Sequence, residues 1–482
     1  MHQTFAFIFL LLIAPIFTTK AQSADERLNR AVYNRIEYFF NSQQPDSIYN
    51  LASDSFKDQI SQEQLSGTLQ QLYALGTIRN AELVKFEKGM AGYRLDFDTE
   101  RLMLVLGVDS THHFHSILFQ QYKEQTPKAE EEKSVEQKVA TPVSEGETFE
   151  SKIEKIAKSY TQKTNARSLS IGIIHQGQIQ TFFFGETDDG NETLPTENSV
   201  YEIGSITKTF TATLLADLVE KQIVSLDDSI TKFLPDSLAQ NPDLQKITFR
   251  SLANHTSGLP GLPDNFTKVN GYKRTDPYAT YDRKALFAYL KNVKLEHDPE
   301  TEYVYSNLGF GLLGELISII SKKPYAACVK ELIALPLHMR TTDITIDPKN
   351  ENILKVFKDG EEVPKWSFQA LAGAGALKST LNDMLRYAIT QLAVPENDIQ
   401  RAMSATKLFT FFIPPNMDIG LGWHTNLLED ISYYWHNGAT AGSYSYIGLI
   451  PDERSAVVIL SNSNVPLDDT AQEIIRQVIK KK

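Results

Sequence analysis

The chain has 482 residues, 41% of them hydrophobic, with a formal net charge of −12 at pH 7 and a single cysteine. That length suits two or three domains, and that apolar content supplies a sizeable core. The acidic balance excludes a general nucleic-acid binder, which needs basic patches against phosphates, and one cysteine excludes an internal disulfide or a cysteine-cluster metal site.

Residues Phe5 to Phe17 form an apolar run, followed by the small residues Thr19 and Ala21. The run has the length of a signal-peptide core and is short for a membrane span. Residues 1–21 are therefore predicted to be a signal peptide and the protein to be exported, periplasmic or secreted, although Met1-His2-Gln3-Thr4 lacks the usual basic residue.

Residues 22–122 are predicted to form a small α+β domain. Leu28, Val32, Ile36 and Phe39 share one helical face. Ser61 and Gln64 have capping-box spacing, with Leu65, Leu69 and Leu72 following at helical intervals. Tyr93, Leu95 and Phe97 then alternate with Arg94, Asp96 and Asp98, and further strands are predicted near Leu102–Val108 and Phe114–Gln120. Helices followed by a strand meander resemble a nuclear-transport-factor-like cone fold. His112, His113 and His115 lie beside a strand without the carboxylate or cysteine spacing that completes a metal site.

Residues 123–147 are rich in Glu, Lys, Gln, Ser, Thr and Pro and contain no aromatic residue. Such a segment cannot bury enough apolar surface to offset its chain entropy, so a flexible linker is predicted. Residues 148–482 are predicted to form a larger unit. A helix at 149–165 leads to a strand at Ser168–Ile174, a turn at Gln176-Gly177 and a strand at Gln178–Phe184. Helical patterns fill the middle, where Cys328 reads as a buried small hydrophobe. Strands return at Ser443–Ile450 and Ser455–Ser461, before a last helix near Asp469–Lys480. The fold class expected is α/β of the α+β kind: an antiparallel sheet flanked by helices, with a largely helical second lobe.

Three strings carry chemistry. In Ser205-Ile-Thr-Lys208, residues three apart share a helical face, so the lysine amine reaches the serine hydroxyl. Gly204 precedes the serine and Phe210, Leu214, Leu215 and Leu218 follow it, which places Ser205 at a helix N-terminus, where free N–H groups favour negative charge. The same spacing recurs at Ser229–Lys232 and Ser404–Lys407, but neither has the preceding glycine and the long following helix. Tyr305-Ser306-Asn307 is the one Tyr-x-Asn in the chain. Its phenol can carry a proton and its amide can meet a substrate carbonyl and the lysine; the plainer alternative is a helix start capped by Asn307. His436-Asn437-Gly438, with Ala439 behind it, precedes a strand; glycine permits close backbone approach, and the N–H groups of Ala439 and Ser205 can form an oxyanion hole. A second His-x-Gly at His175–Gly177 reads as a hairpin turn, and His255 before Gly258 and Pro260 reads as structural.

Taken in order, these strings resemble the serine β-lactamase and penicillin-binding-protein superfamily, in its class C-like branch with peptidases and esterases. Leu252-Ala-Asn-His-Thr-Ser-Gly-Leu-Pro260, Ala374-Gly-Ala-Leu-Lys-Ser-Thr380 and Gly420-Leu-Gly-Trp423 are similar too, and the resemblance covers roughly 148–482. It implies an exported serine hydrolase working through an acyl-serine on amides or esters, as a DD-peptidase, a β-lactamase relative or an esterase. The rival is a penicillin-binding sensor that is acylated and turns over poorly. Ser205, Lys208 and Tyr305 would be catalytic, and Asn307, His436, Gly438 and Ala439 would bind substrate. No cofactor or metal is implied. The partner is a small-molecule or peptide substrate, with cell-wall peptide a candidate; no nucleic acid or membrane partner is called for. Two departures matter: there is no Ser-Asp-Asn string, and histidine stands where the family's Lys-Thr-Gly motif has lysine. An ordinary histidine loses its charge near pH 6.5, so capture of a substrate carboxylate is expected to weaken above neutral pH.

Overall fold

In the computed structural model the described residues are 24–122 and 148–481, apart from 42, 110, 415, 416, 429 and 430. The expected signal peptide, 1–21, and the whole of the expected linker, 123–147, lie outside them. The chain divides into two compact units at residues 123 and 124.

The first unit opens with the helix Ala24–Asn41, whose Val32, Tyr33, Ile36 and Phe40 are buried. Phe40 takes the core place expected for Phe39, which is only half-buried. Helix Gln62–Tyr73 starts at the anticipated box: Gln64 N donates to Ser61 Oγ at 3.3 Å and Ser61 N to Gln64 Oε1 at 2.8 Å. Four antiparallel strands follow as a meander, Ile78–Glu87, Met90–Phe97, Arg101–Val108 and Phe114–Gln121. The first was not anticipated. It is an edge strand in a segment carrying Arg79, Glu82, Lys85 and Glu87, and charge on an edge, a common guard against further pairing, blurs the period-two pattern.

The second unit is built on an eight-stranded antiparallel sheet. Its order runs from Phe411–Ile413 through Met417–Ile419, His424–Leu428, Ile431–Ala439, Tyr444–Ile450 and Ser455–Ser461 to Leu169–His175 and Gln178–Phe184. The central strands Tyr444–Ile450, Ser455–Ser461 and Leu169–His175 are buried along almost their whole length because both faces are covered. In Ser455–Ser461, Val457 and Ile459 pack with the helices Phe149–Thr161 and Asp468–Lys480, while Ala456, Val458 and Leu460 join the core of the helical lobe. The first of these helices stops at Thr161, short of the expected 165, and is followed by a turn in which Asn165 adopts a positive φ before the chain enters the sheet. Within the lobe, helix Thr207–Glu220 is buried from Thr207 to Leu218. Its threonines satisfy themselves on backbone carbonyls, Thr209 on Ile206 O at 2.8 Å and Thr213 on Thr209 O at 2.9 Å, so a polar-looking sequence can serve as a core helix. No helix among the described residues is long and apolar enough to cross a membrane.

Candidate active site

Ser205 sits in a single 3₁₀ turn, Gly204–Ile206, between the short strand Val200–Glu202 and helix Thr207–Glu220. The turn is held against the end of strand Ile431–Ala439. Gly204 has φ +48°, and a Cβ there would lie 2.8 Å from Ala439 N. A Cβ on Gly438 would lie 2.1 Å from Ile203 O and 2.5 Å from Ser445 Oγ. The close approach that demands glycine at 438 is thus made by the chain's own backbone, whereas the sequence had suggested a substrate. Gly438→Ala is expected to cost about 1–3 kcal/mol through overpacking and to slow acyl transfer by pushing Ala439 away from Ser205. Unaltered melting temperature and unaltered kcat would contradict this.

Lys208 lies one turn beyond Ser205 and is wholly buried. Its Nζ is 3.0 Å from Ser205 Oγ, 2.8 Å from Asn307 Oδ1 and 2.7 Å from Ala374 O. Desolvation holds this amine well below the ordinary lysine range. Two of its neighbours, an amide oxygen and a carbonyl, can only accept. A neutral amine donates its two N–H groups to them and turns its lone pair to the serine hydroxyl.

The other two strings arrive from far along the chain. Ser306, not Asn307, caps helix Asn307–Ser321, accepting from Gly309 N at 2.8 Å. Asn307 is thereby free to face Lys208, and its Nδ2 donates to Tyr278 OH at 3.2 Å. The His255 turn braces this segment: Ser306 N donates to His255 Nδ1 at 3.0 Å, and Ser306 Oγ donates to Pro260 O at 2.7 Å. The Tyr305 ring centroid is 4.7 Å from Lys208 Nζ. Although Tyr305 is 36% exposed, desolvation pushes its phenol above the ordinary tyrosine value, against the opposing hydrogen bond with Ser205.

His436 is completely buried, with Nδ1 2.5 Å from Asn437 O. Burial, then the neighbouring His424 and Lys208, hold it well below 6.5. It is therefore neutral on both sides of pH 7, and the charge loss expected near pH 6.5 does not occur there. His424 and Tyr303 belong to the same cluster and were not anticipated. Tyr303 OH lies 2.8 Å from His424 Nε2, and the His424 and His436 ring centroids are 5.4 Å apart. Desolvation pushes His424 down to about 4. A signal was available, since His424 directly follows the Gly420–Trp423 string. Glu202 was missed as well. Its buried carboxylate accepts from Thr440 Oγ1 and Trp366 N, both at 2.7 Å, and so ties the Ser205 turn to the Ala439 strand.

The competing strings do not assemble. Lys232 pairs with Asp228 on the surface. Lys407 is also pushed down by desolvation, to about 7, but its amine goes to Gln391 Oε1 at 2.5 Å and Met403 O at 2.7 Å. A displaced lysine pKa alone therefore does not mark the site. His175 ends its strand beside the Gln176-Gly177 hairpin turn, with Nδ1 2.9 Å from Ser455 Oγ.

A family model described as Beta-lactamase matches residues 153–479. The D-alanyl-D-alanine-carboxypeptidase/endopeptidase AmpH of Escherichia coli (strain K12) is 28% identical over 341 residues, covering 67% of this chain and 87% of that protein. A β-lactamase of Yersinia enterocolitica is 26% identical over 343 residues, covering 63% of this chain and 84% of its own. The crystal structure of a β-lactamase/D-alanine carboxypeptidase from Pseudomonas syringae superposes with TM-score 0.61 at 22% identity, covering 69% of this chain and 99% of that one.

Proposed function

Since the chain belongs to the β-lactamase family and is a serine hydrolase of that type, we propose that it cleaves amides or esters through an acyl-enzyme on Ser205. The observation that carries this reading is the desolvated Lys208 amine 3.0 Å from the serine hydroxyl, with both its N–H groups accounted for. Ser205 O–H gives its proton to Lys208 Nζ as Oγ attacks the carbonyl carbon. The N–H groups of Ser205 and Ala439 hold the oxyanion, an arrangement in which each donor is typically worth about 3–4 kcal/mol of barrier. The Tyr305 hydroxyl protonates the leaving group and regains its proton from the Lys208 ammonium. Water, deprotonated by the same amine, then releases the acyl group. With its phenol pushed up rather than down, Tyr305 serves as a proton carrier and Lys208 as the base. Asn307 orients the amine and donates to the substrate.

Substrates proposed are D-Ala-D-Ala-type peptides, β-lactams and small esters, the first two because the relatives' names carry them. We also assign residues 1–21 to export, on the apolar run Phe5–Phe17, 22–122 to a separate small domain, 123–147 to a linker and 148–482 to catalysis. A fluorescent penicillin is expected to label the protein covalently, with the label mapped to Ser205, lost in Ser205→Ala and fading within minutes. A persistent label would point to the sensor instead, and labelling of Ser205→Ala would end the assignment.

A further inference from the structure

Glu202 is a buried carboxylate, 4% exposed, three residues before the nucleophile, and the acylation steps above leave it without a task. Each of its oxygens is committed. Oε2 accepts from Thr440 Oγ1 at 2.7 Å, and Thr440 directly follows Ala439, whose N–H is assigned to the oxyanion hole. Oε1 accepts from the backbone N–H of Trp366 at 2.7 Å. Lys378 is the register partner of Glu202 where Val200–Glu202 pairs with the strand Lys378–Thr380, and its Nζ donates to Trp366 O at 3.3 Å. Both backbone polar groups of Trp366 are thereby held from the strand pair that leads into the Ser205 turn.

Trp366 opens a segment laid along the loop that carries Tyr278. Ser367 N donates to Asp276 Oδ1 at 2.7 Å, and Ala370 N donates to Tyr281 O at 3.0 Å. Between these ties Phe368 stacks on Tyr278, with ring centroids 4.5 Å apart, and the Trp366 ring lies 5.3 Å from the same tyrosine. Tyr278 OH accepts from Asn307 Nδ2 at 3.2 Å, and Asn307 Oδ1 accepts from Lys208 Nζ at 2.8 Å. The phenol thus fixes which way the Asn307 amide faces. A flipped amide would turn N–H groups to the lysine and compete with Ser205 for its lone pair.

Taking the acyl-serine reading of Ser205 as given, we propose that Glu202 is a positioning residue whose two oxygens fix both halves of the acylation machinery: the Ala439 N–H through Thr440, and the Asn307–Lys208 contact through Trp366 and Tyr278. A displacement of about 1 Å at such groups can cost on the order of 10²-fold in rate. The role is geometric and needs two hydrogen-bonding ends, not a negative charge. Glutamine supplies them, because its Oε1 accepts from Trp366 N and its Nε2 donates to a Thr440 hydroxyl that can also accept.

The test is the rate of Ser205 acylation by a fluorescent penicillin, measured on the full chain across penicillin concentrations, beside the melting temperature. Glu202→Ala is expected to lower the saturating rate by roughly 10–100-fold and to move the half-saturating concentration by less than about threefold, since both contacts act on the transition state. Glu202→Gln is expected to stay within about threefold of wild type. Thr440→Val and Tyr278→Phe each cut one branch, so each is expected to slow acylation by about three- to tenfold and to add little on top of Glu202→Ala. A merely structural Glu202 would lower the melting temperature and leave the rate of the folded chain unchanged. The proposal is overturned if folded Glu202→Ala acylates at the wild-type rate, or if Glu202→Gln is slowed by more than about tenfold, which would mean that the charge itself is required. Should Glu202→Ala fail to fold, the other three variants decide: wild-type rates in both Thr440→Val and Tyr278→Phe overturn the proposal as well. A wild-type chain acylated on Ser205 that gives any of these results loses only this inference, whereas a wild-type chain never acylated on Ser205 loses the reading beneath it and this inference together.

Discussion

Replacing Lys208 by methionine is expected to lower kcat/KM by roughly 10²–10⁴-fold, the usual contribution of a positioned general base, while the chain still folds. Lys208 is buried without a carboxylate among its hydrogen-bond partners, so its amine is held neutral, and methionine fills the same volume without bringing a charge into the core. What is lost structurally is two donations, to Asn307 Oδ1 and Ala374 O, each costing about 1–3 kcal/mol if the acceptor stays buried and unmet. Lys208→Arg sharpens the test. A guanidinium cannot give up its proton at accessible pH, so a base mechanism predicts that arginine is as inactive as methionine. If the site used a fixed positive charge instead, arginine would retain activity, and that result would remove Lys208 from the base role. The pH profile carries a matching sign. The active amine is the deprotonated one, so kcat/KM rises with pH through the lowered Lys208 pKa and reaches its plateau well below the ordinary lysine value near 10.4.

Acid is expected to unfold the second unit steeply between about pH 6.5 and pH 4. His255, His424 and His436 are all buried, and desolvation is the largest cause keeping all three below their ordinary value. In the unfolded chain each takes up a proton near 6.5. Between the folded and unfolded values the unfolded state binds more protons, so stability rises with pH. It is complete above about 6.5 and is lost as pH falls, at about 1.4 kcal/mol per pH unit for each histidine that stays neutral in the fold. His424 alone, pushed down to about 4, then accounts for roughly 3 kcal/mol at pH 4, a large part of the 5–15 kcal/mol that holds a typical domain. Urea midpoints measured every half pH unit will read the slope, and His424→Phe is expected to flatten it by about one proton. A midpoint that stays constant from pH 7 to pH 5 would mean that these rings are not buried neutral.

Much of the architecture was legible locally. The strands Gln178–Phe184 and Ser455–Ser461 have the bounds their apolar runs suggested, and the Ser61–Gln64 box starts its helix because both partners lie within one turn. The edge strand Ile78–Glu87 was not legible, since a charged edge obscures the alternation that marks a strand. Nor was the exchange of Ser306 for Asn307 as cap, which depends on Pro260 and His255 holding the serine in place.

The site divides along the same line. Sequence by itself determined what one helical turn enforces: a serine and a lysine three residues apart, behind a glycine and ahead of a core helix. It also determined the order in which a phenol and an imidazole follow. Only the tertiary structure decided their protonation. Ala374 brings a carbonyl to the amine, Tyr303 brings a phenol to His424, and burial removes the water that would otherwise keep Lys208 and His436 at their ordinary values. The charge on a side chain is set by the solvent that distant segments take away from it, and no stretch of neighbouring residues encodes that.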